Sequence, residues 1–316
     1  MYPDHWSPGS DRRAISQTPP WANDALLSAC SAGNLSRLRM HLRTREMTDD
    51  DSQELLFRLL LEATKKRHVA VVEYLLQQIK STDFPHDIID SAVGAGLEIY
   101  RLFHTKNPDI IHHEHERLGD AVCWAVSACD PEFLSYLLDN GADPGRSLRL
   151  SPRIWCVELP IEYTVLVLRE LHEHQAVAYG HDYYREYMAI LRLLLQHGAV
   201  INGANAIQQA GFYGRVEVLE ILIDAGGDVN WVLDPYSKDP ELETTARPFC
   251  EIQGQELYGT ALHYAASNGH FETVKFLLDH GADPLKKDSL GASASERAQE
   301  YGHLEIVSLI ECLTHP

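Results

Sequence analysis

Apolar and polar positions alternate in a recurring unit whose clearest copy runs from Gly259 to Asp283. Small residues at Ala261, Ala265 and Ala266 predict a short helix that a neighbour can approach closely. Gly269 breaks it. Val274, Leu277 and Leu278 then recur at helical spacing and predict a second helix with one apolar face. Gly281 closes that helix as a C-terminal cap. The unit is thus helix–turn–helix, and one such pair cannot bury its own apolar face.

The same pattern returns along the chain. Gly119 to Asp143 aligns without a gap, and Ala206 to Gly226 aligns with Gly214 at the turn between helices. Ala25 to Leu35, Glu62 to Leu76 and Ser91 to Gly96 are degenerate copies; Leu193 to Ala199 ends another, and Gly302 to Ile310 opens the last. The turn positions are 33, 67, 96, 129, 214, 269 and 302. Their spacing is close to 33 residues except across two longer gaps, which predicts about eight repeats and two insertions. The insertions fall within 144–186 and 231–256. Residues 1–20 hold Pro3, Pro8, Pro19 and Pro20 with no apolar period and are expected to form a flexible tail. The array is expected over 21–316, weak in 21–118 and clearer in 119–143, 187–230 and 257–312.

The Thr260-Ala261-Leu262-His263-Tyr264-Ala265-Ala266 stretch, the Gly269-His270 turn and the Leu277-Leu278-Asp279-His280-Gly281-Ala282-Asp283 ending closely resemble an ankyrin repeat. The family's Pro after Thr is replaced here by Ala261, a variant similar to those of filamentous fungi. The resemblance implies an all-α ankyrin-repeat solenoid of about eight degenerate helix–turn–helix repeats with two loop insertions. It also implies a concave face, lined by first helices and projecting fingers, where such proteins bind other proteins.

On the family's frame, the two residues before each turn point outward. They are Ser31/Ala32, Lys65/Lys66, Ser127/Ala128, Phe212/Tyr213, Ser267/Asn268 and Glu300/Tyr301. The position after the framework His, Trp124 and Tyr264, is also expected outward. Aromatic side chains anchor interfaces because they bury much area at small entropic cost. The expected partner-binding surface therefore runs from Trp124 across Phe212 and Tyr213 to Trp231, Asp234 and Tyr236, with Tyr264 beside it. The alternative is that these aromatics pack against neighbouring fingers.

Composition narrows the function. Of 316 residues, 45% are hydrophobic and 23% charged, which are globular proportions. The net charge of −19 is concentrated: residues 1–80 carry 11 Lys/Arg against 10 Asp/Glu, whereas 81–316 carry 16 against 36. Such acidity argues against nucleic acid and favours a partner with a basic segment. No apolar run approaches the ~18 residues that span a bilayer. The N-terminal Met1-Tyr2-Pro3-Asp4-His5-Trp6 lacks the marks of a secretory signal, and the six Cys contain no Cys-x-x-Cys. The expected setting is cytoplasmic or nuclear, with reduced thiols.

No phosphate-cradling glycine loop, nucleophile elbow or dinucleotide fingerprint is present, so no catalytic residue and no cofactor are expected. The segment with His104, His112, His113 and His115 and the group His172, His174 and His181 could supply metal ligands, but His-Glu-x-x-His is absent and no metal site is expected. The expected function is a non-catalytic protein-interaction module. The alternative is an enzyme or small-molecule binder whose pocket forms where the two insertions cover the groove.

Overall fold

The computed structural model describes residues 24–43, 49–113, 120–145, 160–170, 177–178, 181–202, 205–232, 250–252 and 255–314. The chain divides after Ile110 into two compact units, each a stack of helix pairs.

The first unit holds α1 (Asp24–Ser31), α2 (Leu35–Arg43), α3 (Asp49–Lys65), α4 (Val69–Gln78), α5 (His86–Ala95) and α6 (Leu97–Lys106). The first helices of the pairs, α1, α3 and α5, pack in sequence against one another, and α4 packs on α6. Leu38, Leu59, Leu60, Leu75 and Phe103 are fully buried between them.

The second unit holds α7 (Ala121–Ser127), α8 (Pro131–Asp139), α9 (Pro160–Glu170), α10 (Tyr183–Gln196), α11 (Ala206–Phe212), α12 (Val216–Asp224), α13 (Ala261–Ser267), α14 (Phe271–Asp279), α15 (Ala294–Glu300) and α16 (Leu304–Thr314). Its inner helices α7, α9, α11, α13 and α15 form one continuous row. Small residues make that row possible: a Cβ at Gly211 of α11 would lie 2.8 Å from the Ala261 carbonyl of α13. Local capping starts the helices. Asp120 accepts from the Cys123 amide, Asp130 from the Phe133 amide, and Ser293 with Glu296 forms a capping box.

The architecture is all-α: in each unit helix pairs stack as in an ankyrin-repeat solenoid, eight pairs in all among the described residues, and the β-structure there is two minimal antiparallel ladders and an isolated Lys287–Ser293 bridge. Strand β1 (Val177–Ala178) pairs with β2 (His181–Asp182), and β3 (Cys250–Ile252) with β4 (Gln255–Leu257). The ladders fall in or at the edge of the two ranges read as insertions. Helix α9 also lies inside 144–186. It is the inner helix of the fifth pair, with Ile161, Thr164, Val165 and Leu168 buried.

All seven turn positions have positive φ, from +55° at Cys129 to +97° at Gly96. At three of them, Gly33, Gly214 and Gly269, glycine is required for a second reason. A Cβ at Gly214 would stand 2.8 Å from the His270 ring, and one at Gly269 would stand 2.6 Å from the His303 ring. Each ring also reaches back to the preceding pair: Nε2 of His270 donates to the Phe212 oxygen at 2.8 Å, and that of His303 to the Ser267 oxygen at 3.1 Å. His68 repeats the device in the first unit, over Gly33 and bonded to the Ser31 oxygen at 2.9 Å. Among the described residues no helix is long and apolar enough to cross a membrane.

Candidate partner-binding surface

Helix α11 carries the centre of the expected surface. Phe212 ends the helix and Tyr213 caps it, and both side chains are half-buried. Their rings meet edge to face with centroids 4.8 Å apart. Elsewhere Ser31, Ala32, Lys65, Lys66, Ser127, Ala128, Asn268, Glu300 and Tyr301 are exposed, with Ser267 half-buried. The rule for the two residues before each turn therefore describes the structure well. At the α11 turn the two large rings meet each other, and that of Phe212 also meets Tyr264.

The rule for the position after the framework His fails at Tyr264. Tyr264 is 3% exposed, because α13 is flanked on both sides by inner helices and the Phe212 ring stands edge-on to it at 6.2 Å. Tyr264 is therefore part of the packed interior. Trp124 is half-buried, and its ring packs edge-on against Phe133 of its own helix pair at 5.9 Å. The structure thus joins Phe212, Tyr213 and Tyr264 into one aromatic group and leaves Trp124 packed within a different pair. Trp231 is half-buried in the finger after α12. Asp234 and Tyr236 lie outside the described residues.

Framework side chains hold this surface from beneath. His270 fixes the Phe212 carbonyl, as above. Gln208, four residues before Phe212 on the same helix, donates from Nε2 to the Trp231 oxygen at 2.9 Å. Neither role was read from the sequence. For Gln208 the signal was available, since Ala206-Ile207-Gln208 aligns with Ala261-Leu262-His263.

The neighbouring fingers are stitched by asparagines. The Asn202 side-chain oxygen accepts from the Asp228 amide at 2.9 Å. Asn230 accepts from the Asp283 amide at 2.8 Å and donates to the Gly281 oxygen at 2.9 Å. Lys286 donates to the Asn230 oxygen at 2.7 Å. In the last finger Asp288 takes the Leu290 and Ala292 amides on one oxygen and a buried Arg297 on the other at 2.7 Å. His263 is fully buried alongside. Its Nδ1 accepts from the Thr260 amide and hydroxyl, and its Nε2 faces the Ala292 oxygen at 3.1 Å. A carbonyl can only accept, so Nε2 carries the proton and the ring is neutral. Burial pulls its pKa below the usual imidazole value; Asp288 opposes that shift and Arg297 adds to it.

Cys30, Cys123 and Cys129 are buried, whereas Cys312 is exposed. Burial pushes Cys30 up to about 12, with Glu62 adding to it, and Cys129 up to about 12, with Glu186 beside it. Burial raises Cys123 further. Such thiols carry almost no thiolate near neutral pH and are poor nucleophiles. His104 stacks on Tyr100, and burial lowers its pKa. His115, His172 and His174 lie outside the described residues. Among the described residues no three potential metal ligands come together.

Comparison with known proteins places this architecture. A family model of ankyrin repeats, in three copies, matches residues 242–313. A probable E3 ubiquitin-protein ligase of Oryza sativa subsp. japonica, XBOS34, is 32% identical over 114 residues, covering 31% of this chain and 22% of that protein. The human ankyrin repeat and SOCS box protein 3 is 33% identical over 100 residues, covering 30% of this chain and 16% of that protein. The ankyrin repeat and KH domain-containing protein mask-1 of Caenorhabditis elegans is 25% identical over 118 residues, covering 34% of this chain and 4% of that protein. The chain thus spans less than a quarter of the length of each of these relatives. Three matched repeats, relatives named for the same repeat and a helix pair that recurs through both units lead to one conclusion: the chain is an ankyrin-repeat protein.

Proposed function

We propose that this protein is a non-catalytic protein-interaction module whose partner seats on the inner-helix turn of α11 and the finger that follows it. Tyr213 and Trp231 are the anchors, Phe212 backs Tyr213, and the acidic stretch with Asp234 and Tyr236 extends the surface. Trp124 belongs to its far edge. One observation carries the reading. At the α11 turn stand two adjoining, half-exposed aromatics, where the other described turns of the second unit carry small or polar residues or the single exposed Tyr301.

The partner is a protein segment with an apolar residue flanked by Lys or Arg, since residues 81–316 carry 36 acidic against 16 basic side chains. Nucleic acid is disfavoured by the same charge. The relatives' activities do not come with the resemblance, because the chain matches only a small share of each. The setting proposed is inside the cell, where the thiols stay reduced.

Affinity capture from the source cells, followed by chemical cross-linking and mass spectrometry, tests this. The expected result is a protein partner whose cross-links converge on residues 205–232. Recovery of nothing above a scrambled-bait control, or cross-links confined to residues 24–106, would sink it.

A further inference from the structure

The side chain at the third helical position of an inner helix has one task in two different repeats. In α13 it is His263, whose Nε2 donates to the Ala292 oxygen in the finger that follows that helix pair. In α11 it is Gln208, whose Nε2 donates to the Trp231 oxygen in the finger that follows its own pair. The facing atom is a carbonyl in both cases, so the group presented must be a donor, which sets the orientation of the Gln208 amide. In α7 the same position is Cys123, which has no nitrogen to offer.

The two sites differ in how well they are satisfied. His263 uses both ring nitrogens. Gln208 is 2% exposed, yet among the described residues its Oε1 has no hydrogen-bond partner, nor has the shielded indole Nε1 of Trp231. The Trp231 amide bonds only locally, to the Asp228 oxygen at 2.9 Å. Among the described residues one hydrogen bond therefore ties the base of Trp231 to the inner helix.

We infer that Gln208 is a positioning residue for the partner-binding surface: by holding the Trp231 carbonyl from inside the stack, it sets where the indole stands relative to Phe212 and Tyr213. The inference rests on the surface proposed above. It assigns Gln208 no contact with the partner. Replacing Gln208 with Met keeps volume and burial while deleting both the donor and the unmet acceptor; the Trp231 oxygen then loses its partner, and stability falls by as much as water fails to replace that bond. Replacing it with His supplies the group that already performs this task at 263.

The test is fluorine NMR of the full chain labelled with 5-fluorotryptophan. Five Trp give five resonances, and that of Trp231 is identified by its loss in Trp231→Phe. Gln208→Met is expected to move the Trp231 resonance toward that of the free amino acid and broaden it, with Trp124 unmoved. Gln208→His is expected to return it to the wild-type position. Should Gln208→Met fail to fold, Gln208→Asn, one methylene too short to reach, is read in the same way. A Trp231 resonance unchanged in the folded Met or Asn variant overturns the inference, as does a His variant that leaves it displaced. The surface itself is tested separately by partner capture. If the resonance moves as expected but capture by the Met variant is undiminished, the tie stands and the proposed surface falls.

Discussion

A glycine and a histidine at each of three turns do more than end a helix. The ring of the next repeat lies where a side chain on the turn residue would have to stand, and its Nε2 takes a carbonyl of the preceding repeat. The turn therefore needs glycine twice, for its left-handed backbone and for the space. Gly269→Ala is expected to cost about 2 kcal/mol or more, since the left-handed conformation alone costs ~1–2 kcal/mol for a residue with a Cβ. Urea unfolding measures it; a loss below about 0.5 kcal/mol, the scatter of neutral surface changes, would contradict the packing described. The cysteines supply a second residue-scale test. Cys312 is exposed while Cys30, Cys123 and Cys129 are buried. Brief alkylation of the native chain, mapped by peptide mass spectrometry, is expected to modify Cys312 and to spare those three.

At the scale of the helix pair, His263 links the start of α13 to the last finger, and only its neutral form fits. Its native pKa is depressed, so below the unfolded value of about 6.5 the unfolded chain binds a proton that the native ring refuses. Stability from this site is complete above that pH and declines as pH falls through it. His263→Gln keeps a donor toward Ala292 without a titrating ring. Its melting temperature is expected to change less than that of wild type between pH 7.5 and 5.5; parallel profiles would refute the assignment. The turns were legible in the sequence because a left-handed break every 33 residues leaves a mark on the residues themselves. The chain broke that mark twice, with Arg67 and Cys129, and still adopted φ of +57° and +55° there. Helix α9 was not legible, since Pro160–Glu170 holds none of the Ala or Gly that mark the other inner helices and its place in the row depends on α7 and α11. Tyr264 was misplaced for a related reason. A repeat frame assigns a direction to a position but does not register the Phe212 ring that the adjacent repeat brings against it.

Across the molecule, stability in a repeat array is a sum of pairs and their interfaces, so weak pairs open locally before strong ones. The pairs of residues 24–106 carry the strained Arg67 turn and a buried Thr64 hydroxyl without a partner. Residues 258–314 carry two capping boxes, the Asp288–Arg297 pair and the asparagine-stitched fingers. Hydrogen exchange is expected to show higher protection in 258–314 than in 24–106, and equal protection would count against this account. The proposed partner site is the α11 turn and the finger that follows it. Phe212 packs on the buried Tyr264, so Tyr213 and Trp231 are the side chains to remove. The deciding measurement is the affinity of the captured partner for wild type and for the Tyr213→Ala/Trp231→Ala double variant, each with its circular dichroism melt. The account predicts a loss of roughly thirtyfold or more in affinity, the equivalent of ~2 kcal/mol for a central aromatic anchor, with the melt almost unchanged. Undiminished affinity in a normally folded double variant would contradict it.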